Sequence, residues 1–275
     1  MKKFKVGVQL YSVRDDLAKD FEGTLRKIKD MGYDYVEFAG FFNKSAEEVK
    51  SVLDKIGLVP ISVHQGNQLF LEQGQTAIDY LKTVGVKYCA IPWYEKSKLK
   101  GSEEWENTKK EFKDYSDALK TAGIKLLYHN HDFEFDKVDG KYKIDYIYEE
   151  LGLDTIEPEF DTCWVKYAGE EPCKYIEKYS GHVEVLHLKD FVCENPGGTV
   201  YALIDENGNE KKESTDESGF KFMPVGSGVQ DFKSILESAE KAGTEYIIVE
   251  QDESKDRPAI EAVKMSREYL KTLGQ

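Results

Sequence analysis

Four apolar segments of the sequence end abruptly in side chains that bind metal ions well. They cover residues 125–131, 156–161, 183–190 and 246–252. Each is predicted to be a buried parallel strand whose carboxyl end carries His, Asp or Glu. Because the carboxyl ends of parallel strands converge on one rim of a sheet or barrel, we expect residues far apart in the sequence to meet around one divalent cation.

Alternation along these strands indicates which side chains point the same way. Side chains two positions apart share a face of a strand, and each strand end carries such a pair: His129 and His131, Glu159 and Asp161, His187 and Lys189, Glu250 and Asp252. Taking these faces as inward predicts one metal centre, formed by Asp161, His187, Glu250 and a fifth-strand histidine. Two imidazoles and two carboxylates suit Mn²⁺, Co²⁺, Zn²⁺ or Fe²⁺ better than Mg²⁺.

The elements that would position these strand ends repeat regularly. Further strands are predicted at 5–12, 35–39, 59–64 and 88–93. The helices between strands end at glycines, which adopt the left-handed cap conformation at low cost: Gly32, Gly57, Gly85, Gly123 and Gly243. Eight strand–helix units of this kind predict a single (β/α)8 TIM barrel spanning residues 1–275. The competing doubly wound sheet usually has a glycine-rich turn after its first strand, and this sequence has none there.

A long polar stretch, residues 191–229, interrupts this regular alternation of strands and helices between the seventh strand and its helix. It is rich in Gly, Asn, Glu and Lys, and residues 200–210 are typical of a small hairpin with an Asn-Gly turn. A loop of this length in a barrel is usually functional or a lid. We therefore expect the insertion to lie on the rim that carries the metal centre.

The overall composition limits the function classes. The chain has 275 residues, a net charge of −14 and a pI of about 5.0, and such a field repels nucleic-acid backbones. The four cysteines form no metal-binding pair, and no apolar run is long enough for a membrane span. With no signal peptide visible at the start, the expected location is the cytoplasm, with neither nucleic-acid nor membrane partners.

Several further residues are candidates for the substrate pocket. Gln9 and Glu37 occupy strand positions where apolar residues are expected, and buried polar groups need partners. His64 ends the third strand and is equally consistent with the pocket or with packing. Trp93 and Trp164 follow strand ends, where a ring could pack in the core or stack on the apolar face of a sugar.

Six ordered motifs resemble one known superfamily of barrels. They are residues 7–14 (GVQLYSVR), 128–135 (YHNHDFEF), 159–164 (EFDTCW), 187–190 (HLKD), 225–228 (VGSG) and 249–252 (VEQD). The set resembles the xylose-isomerase-like TIM-barrel superfamily and, within it, the sugar phosphate isomerase/epimerase group. The resemblance implies four strand-end ligands around one divalent ion, usually Mn²⁺, Mg²⁺ or Co²⁺, so Mn²⁺ is the expected cofactor.

The resemblance also implies individual roles. Asp161, His187 and Glu250 match three metal ligands of the family, and His129 occupies the position where many members have a glutamate. In the epimerases that glutamate and the eighth-strand glutamate act as paired acid and base, so this chain departs from the residue pattern on which that mechanism depends. Glu134, further along the same segment, is a candidate for substrate binding. Inosose dehydratases of the superfamily resemble this chain in having histidines on that strand.

We therefore expect a metal-dependent sugar or sugar phosphate isomerase or epimerase, with a small sugar as its substrate. The hypothesis is removal of a proton next to a carbonyl, with the resulting enediolate stabilised by the ion. The base would be His131, Glu250 or Glu159, and Lys189 would hold an oxyanion, or a carboxylate or phosphate of the substrate. The alternatives are a lyase or dehydratase of the inosose-dehydratase type, β-elimination on a 3-keto sugar, and a non-catalytic sugar-binding barrel. The sequence leaves a homo-oligomer open.

Overall fold

The computed structural model describes residues 2–194 and 219–275, and its centre is a closed barrel of eight parallel strands. The strands are β1 (Lys5–Gln9), β2 (Tyr35–Ala39), β3 (Val59–His64), β4 (Tyr88–Ile91), β5 (Lys125–His129), β6 (Glu157–Asp161), β7 (Val185–Leu188) and β8 (Tyr246–Val249). Each strand pairs in parallel with the next one along the chain, and β8 pairs with β1 to close the barrel. The predicted (β/α)8 barrel is thereby confirmed.

In the described part of the chain, eight helices follow the strands in turn. They are α1 (Phe21–Met31), α2 (Ala46–Ile56), α3 (Gln75–Val84), α4 (Trp105–Thr121), α5 (Lys143–Leu151), α6 (Pro172–Lys178), α7 (Phe232–Ala242) and α8 (Ala259–Thr272). Shorter helices lie in the connections, at Leu10–Val13, Arg14–Lys19, Asn67–Gln73, Lys96–Lys98, Phe133–Phe135 and Thr162–Tyr167. None of the helices described combines the length and the apolar character that crossing a bilayer requires.

Capping residues explain where these helices begin and end. Ser45 begins α2 with a capping box, in which its hydroxyl accepts a hydrogen bond from the Glu48 amide and the Glu48 carboxylate accepts one from the Ser45 amide. Gly57 ends the same helix at a φ of 80°, a left-handed conformation that favours glycine. The other four predicted glycine stops also have positive φ angles, so the helix ends predicted from glycine are confirmed.

The barrel interior changes from apolar to polar along the strands. Inward side chains of neighbouring strands form an apolar cluster of Ile61, Tyr88, Ala90, Leu127, Val185, Tyr246 and Ile248. A larger apolar core fills the space between the strands and the helices. Because strand side chains alternate, the next inward positions on three of these strands are His129, His187 and Glu250. The interior therefore ends in metal-binding side chains at the carboxyl rim.

Several strands are shorter than the sequence predicts. β1 ends at Gln9 rather than at residue 12, because the chain turns into a 3-10 helix whose Tyr11 amide donates to the Gln9 side chain. β4 ends just before Pro92, which has no amide for pairing. β7 and β8 end one residue before Lys189 and Glu250. These two side chains therefore lie just beyond the paired part of the barrel.

The ends of the 191–229 insertion meet in a short antiparallel pair. Asp190–Val192 pairs with Lys221–Met223. The predicted hairpin at 200–210 lies outside the described residues. The Asp190 carboxylate accepts hydrogen bonds from three amides of the loop that follows: Gly226, Gly228 and Gln230. The 225–228 motif therefore fastens the end of the insertion to the residue that follows Lys189.

Candidate metal centre

The register of the barrel brings the four predicted ligands to one rim. Asp161 on β6 pairs with His187 on β7, and His129 at the end of β5 pairs with Glu159 on β6. Glu250 directly follows β8, whose neighbour is β7. Ligand atoms of His129, Asp161, His187 and Glu250 all lie within 4.8 Å of one another. All four side chains are buried.

The separations within this set fit a bound ion better than direct hydrogen bonds. His129 Nε2 lies 3.6 Å from Asp161 Oδ2 and 3.9 Å from Glu250 Oε2. Donor and acceptor atoms in N–H···O hydrogen bonds are roughly 2.7–3.2 Å apart, so both separations are too long. Ligands about 2.1 Å from a tetrahedral ion lie about 3.4 Å from one another. His187 Nδ1, 3.1 Å from Glu250 Oε2, is compatible with either arrangement.

Asp161 uses its two carboxylate oxygens for different purposes. Oδ1 accepts a hydrogen bond of 2.8 Å from the Cys163 amide and so caps the helix Thr162–Tyr167. Oδ2 is buried and accepts no hydrogen bond from the described residues, although the Lys189 ammonium lies 3.2 Å away. A buried acceptor that lacks a hydrogen bond is costly. This oxygen, beside two imidazoles and a second carboxylate, therefore fits a bound cation, while the other oxygen caps the helix.

Lys189 places a buried ammonium beside the ligand oxygens. Its Nζ lies 3.2 Å from Asp161 Oδ2 and 3.1 Å from Glu250 Oε2. Asp252 Oδ2 is closer still, at 2.8 Å. The Lys189 side chain is 1% exposed, so solvent screens these interactions little. The lysine therefore neutralises part of the negative charge at the rim.

A second polar layer lies below the ligands, and we call it the Glu37 layer: Gln9, Glu37, His64 and Glu159. His64 Nε2 lies 2.9 Å from Glu37 Oε1 and 2.8 Å from Glu159 Oε2. His187 reaches into this layer, since its Nε2 lies 2.8 Å from Glu37 Oε1. Ligand atoms within 4.8 Å of one another form a second group: His64, His129, Glu159 and His187. The layer is therefore a second candidate position for an ion.

Of the histidines near the candidate ion, His129 and His131 are neutral. Burial would lower the pKa of His187, but Glu37 and Glu159 outweigh it and raise this pKa well above its usual range. Burial, and then the neighbouring rings of His187 and His64, hold the pKa of His129 well below its usual range. Burial, and then the Lys189 ammonium, lower the pKa of His131 to about 3. Neutral imidazole is the form that binds metal ions and accepts protons, so both rings are in the form that the proposed chemistry requires.

The carboxylates of the site respond differently to the same burial. Burial raises the pKa of Asp161, although Lys189 opposes it. Burial, and then a neighbouring carboxylate, raise the pKa of Glu159 to about 7. Burial would also raise the pKa of Glu250, but Lys189 together with His187 and His64 outweighs it and holds this pKa well below its ordinary value. These carboxyl groups are crowded, and a cation among them would relieve their mutual repulsion.

An aromatic wall borders the site beside His131. The His131 ring stacks on Phe133, with centroids 5.7 Å apart and an interplanar angle of 2°, and its centroid lies 5.7 Å from that of Trp164. Trp164 is buried and stacks on Phe220 at 5.7 Å. Lys189 Nζ lies 5.3 Å from the Trp164 ring centroid. The structure thus brings His131, Lys189 and Trp164 together next to the candidate ligands.

Two other predicted pocket residues have different surroundings. Trp93 follows β4 and is 37% exposed, so it lies outside the buried cluster. Glu134 is fully buried, and its carboxylate accepts hydrogen bonds of 2.8 Å from the Tyr128 hydroxyl and the His131 amide. Burial raises the pKa of Glu134 to about 8. Glu134 therefore holds the segment that carries His131, rather than presenting a free carboxylate.

Sequence reasoning missed two parts of this site. Phe220 and Phe222 pack against Trp164 from within the insertion, and the alternating Phe-Lys-Phe pattern is the sequence signal for them. Asn130, which lies between His129 and His131 in the sequence, uses its Oδ1 to accept a hydrogen bond of 3.0 Å from the Asp161 amide. It therefore helps to position a candidate ligand of the neighbouring strand.

Fold and site together define a (β/α)8 barrel with a candidate metal centre at its carboxyl rim. The chain belongs to the xylose isomerase-like TIM barrel family, whose profile matches residues 25–273. The resemblance indicated by the sequence motifs is confirmed by this match. The family is enzyme-like, and the relatives and structures below include dehydratases and isomerases or epimerases.

Two inosose dehydratases are among the most similar relatives. The protein of Geobacillus kaustophilus (strain HTA426) is 24% identical over 307 residues, covering 98% of this chain and 94% of the relative. The protein of Geobacillus thermodenitrificans (strain NG80-2) is 25% identical over 186 residues, covering 66% of this chain and 58% of the relative. The second alignment thus spans little more than half the length of that relative.

Solved structures show the same fold over nearly the whole chain. A sugar phosphate isomerase/epimerase from Parabacteroides distasonis ATCC 8503 has a TM-score of 0.77 and 21% identity, covering 98% of this chain and 94% of the other. The IOLI protein, crystallised with a zinc atom, has a TM-score of 0.71 and 14% identity, covering 98% and 97%. At these identities the likeness shows the fold alone.

Proposed function

We propose that the protein is a divalent-metal-dependent sugar isomerase or epimerase that removes a proton next to a carbonyl. The observation that carries the proposal is a buried set of four ligands whose atoms lie within 4.8 Å of one another: His129, Asp161, His187 and Glu250. The substrate would be a small sugar or sugar phosphate, since a net charge of −14 disfavours nucleic acid. The isomerase/epimerase and zinc-containing neighbours support this choice.

The donor set indicates a transition-metal ion. Two imidazole nitrogens and two carboxylate oxygens suit Mn²⁺, Co²⁺, Zn²⁺ or Fe²⁺, and the family resemblance makes Mn²⁺ our first choice. When bound, the ion would place positive charge beside the carbonyl oxygen of the substrate, where negative charge develops as the α-proton leaves. The protein residues around it would bind the substrate and move the proton.

His131 is the base that we favour. Its ring is neutral, and its centroid lies 5.4 Å from that of the proposed ligand His129. Negative charge developing on a neighbouring substrate would raise the low pKa of His131 and so strengthen it as a base. Glu159 is a weaker candidate, because it precedes the ligand Asp161 by two residues on β6 and already contacts His64 at 2.8 Å. Glu250 would be engaged as a ligand.

Lys189 would bind the oxygen on which negative charge develops. A cation at Asp161 Oδ2 and Glu250 Oε2 would repel the ammonium, which lies 3.2 Å and 3.1 Å from these atoms. Asp252, at 2.8 Å, would still hold it at the rim. The ammonium would then be directed towards the substrate, and the Trp164 ring beneath it would exclude water from that side.

A dehydratase or another lyase is the second candidate function. The relative that aligns over 98% of this chain is an inosose dehydratase. Loss of a β-hydroxyl group, or of a β-glycosidic bond in a 3-keto sugar, would begin with the same proton removal. This chain has His129 at the position where the epimerases have one of their two paired glutamates. That difference also favours elimination. A sugar-binding barrel without catalysis is the third candidate.

Proton exchange in D₂O separates these candidates. Mn²⁺-loaded protein would be incubated with ketoses, 3-keto sugars and inososes, and the products would be followed by mass spectrometry and by NMR after EDTA removes the metal. Deuterium at the α-carbon with an unchanged carbon skeleton is expected for an isomerase or epimerase, whereas loss of water or of an aglycone identifies a lyase. Asp161→Asn is the control without exchange. Sugar binding with no exchange in any metal form would contradict an enzymatic role.

A further inference from the structure

Glu37 lies at the centre of the polar layer below the candidate metal centre. Its Oε1 atom faces three nitrogen donors: Gln9 Nε2 at 2.6 Å, His64 Nε2 at 2.9 Å and His187 Nε2 at 2.8 Å. Its Oε2 atom is buried and has no hydrogen-bond partner in the described part of the chain. The side chain is fully buried. These surroundings hold the carboxylate in one orientation, with an oxygen aimed at His187.

His187 connects this layer to the metal centre through its two ring nitrogens. Nδ1 lies 3.1 Å from Glu250 Oε2, and Nε2 lies 2.8 Å from Glu37 Oε1. A neutral imidazole carries a lone pair on one nitrogen and a hydrogen on the other. If Nδ1 binds the ion, Nε2 carries the hydrogen, and Glu37 is placed to accept it. His129 repeats the arrangement more loosely, with Nδ1 3.4 Å from Glu159 Oε2.

We propose that Glu37 is a positioning residue, which fixes the tautomer and the orientation of His187 for metal binding. The proposal rests on the metal centre proposed above. A carboxylate that accepts the second ring N–H of a metal-binding histidine strengthens that ligand, and its loss weakens metal affinity about 10–100-fold. Gln9 and His64 would hold Glu37 in place. These three residues, candidates for the substrate pocket by sequence, would then act one step away from the substrate.

The same cluster admits a competing arrangement, with an ion inside the Glu37 layer. That ion would need His187 Nε2, and a neutral ring could not then bind a second ion through Nδ1. Distances favour our proposal. Contacts of 2.8 Å and 2.9 Å within the layer are hydrogen-bond lengths, whereas His129 Nε2 is 3.6 Å and 3.9 Å from its carboxylate neighbours. Glu37 Oε1 therefore has its hydrogen-bond partners within the layer, whereas Asp161 Oδ2 in the set above accepts no hydrogen bond from the described residues.

Metal affinity tests the role of Glu37 independently of turnover. Mn²⁺ binding to wild-type, Glu37→Gln and Glu157→Gln protein would be measured from the EPR signal of free Mn²⁺. Glu157 is the matched control, because it begins the strand that carries Glu159 and also contacts a histidine, with Oε1 3.1 Å from His182 Nδ1. We expect a single ion per chain in each protein. The Kd should be at least about tenfold weaker in Glu37→Gln and unchanged in Glu157→Gln.

A second measurement can be made on the wild-type protein alone, and Glu37→Gln then extends it. Zn²⁺ is diamagnetic, so ring nitrogens of ¹⁵N-histidine-labelled protein are observable by NMR when Zn²⁺ is bound. Nδ1 of His187 should have the shift of a metal-bound nitrogen, and Nε2 should carry a hydrogen. In Glu37→Gln the Nε2–H signal should move, because a neutral amide replaces the anionic acceptor.

The outcomes separate this proposal from the proposed function. If wild-type protein binds no divalent ion, the proposed function and the proposed role of Glu37 are both contradicted. If it binds one ion and Glu37→Gln binds that ion equally tightly, or if His187 binds through Nε2, the metal centre stands and the role of Glu37 is overturned. Two ions per chain would make the Glu37 layer an ion site and would also overturn it. If circular dichroism shows that Glu37→Gln does not fold, the wild-type NMR measurement decides.

Discussion

The two ends of the barrel carry charge networks of different design. At the amino rim three carboxylates lie among three lysines: Glu157, Glu184 and Glu245 with Lys5, Lys87 and Lys125. At the carboxyl rim, in the described part of the chain, Lys189 contacts three carboxylates, those of Asp161, Glu250 and Asp252, and two further carboxylates, Glu37 and Glu159, contact His64. The first network is balanced in formal charge, and the second has a large excess of negative charge.

The two charge networks also differ in how much solvent reaches them, and this decides how much their charges cost. Lys5 and Glu245 are each 40% exposed, so water screens their charges. Lys189 and Asp161 are 1% and 0% exposed, and a buried charge without a counter-charge costs several kcal/mol. Burial lowers the pKa of His64, but two neighbouring carboxylates outweigh it and raise this pKa to about 10. A protonated His64 and a divalent ion would together supply most of the missing positive charge at the carboxyl rim.

Removing one proposed ligand charge should have the largest effect. Asp161→Asn retains an acceptor for the Cys163 amide but removes the charge that faces the ion. Mn²⁺ binding should weaken and kcat/KM should fall about 1,000-fold, because a bound ion contributes several kcal/mol to the transition state. Isothermal titration and steady-state kinetics measure the two effects. Full activity in a metal-free variant would show that the charge imbalance of the carboxyl rim does not serve an ion.

Lys189→Met should reduce activity less than Asp161→Asn does, and its effect on metal binding should distinguish the role of this lysine from that of the ligands. Methionine keeps an apolar stem against Trp164 and Phe222 but removes the ammonium. Since the ammonium lies close to two ligand oxygens, its loss should tighten Mn²⁺ binding. The kcat should fall about 100-fold if the ammonium stabilises an oxyanion. If the variant instead bound Mn²⁺ more weakly and also had a lower kcat, Lys189 would be a residue that positions the ligands.

Three of the proposed ligands, Asp161, His187 and Glu250, could be predicted from the sequence because each depends on a local pattern and one topological rule, whereas that pattern alone leaves His129 and His131 open on the fifth strand. Apolar runs indicate strands, alternation selects the inward face, and parallel strands bring their ends to one rim. Asp161 and His187 are 26 positions apart but occupy equivalent places on neighbouring strands. No knowledge of side-chain orientation is needed to bring them together.

The supporting contacts could not be predicted, because they depend on ring orientation and on pairs that share no pattern. Glu37 and His187 lie 150 positions apart, and their hydrogen bond exists only because the imidazole turns Nε2 towards β2. The sequence indicates that Glu37 is buried and polar, which is compatible with substrate, metal or histidine as its partner. Trp93 and Trp164 both follow strands, yet one is 37% exposed and the other is buried.

Glu134→Gln tests a carboxyl group of the carboxyl rim that has no ion pair with any described residue. Burial raises its pKa from 4.5 to about 8, so between these values the folded protein holds a proton that the unfolded chain has released. The stabilisation is complete below the unfolded value and is lost as the pH rises to about 8. The free energy of unfolding should fall by up to about 1.4 kcal/mol per pH unit across this range.

Glutamine resembles the protonated carboxyl group and does not titrate, so the variant should lack this part of the pH dependence. Urea unfolding of both proteins between about pH 5 and pH 8 measures the difference, which cancels contributions from other groups. The variant should gain stability relative to wild type as the pH rises. Parallel curves for the two proteins would show that Glu134 is ionised in the fold and that the carboxyl rim carries a still larger negative charge.

The smallest effect is expected at the amino rim. Lys5 pairs with Glu245 and lies 4.9 Å from the ring centroid of Tyr246. An exposed pair contributes about 0–1 kcal/mol, so Lys5→Met should lower the free energy of unfolding by no more than about 1 kcal/mol, and high salt should reduce the difference. Mn²⁺ affinity, kcat and KM should not change. If Lys5→Met reduced kcat as much as Lys189→Met, the two rims would be coupled through the barrel, and a structural rim could not be distinguished from a catalytic one.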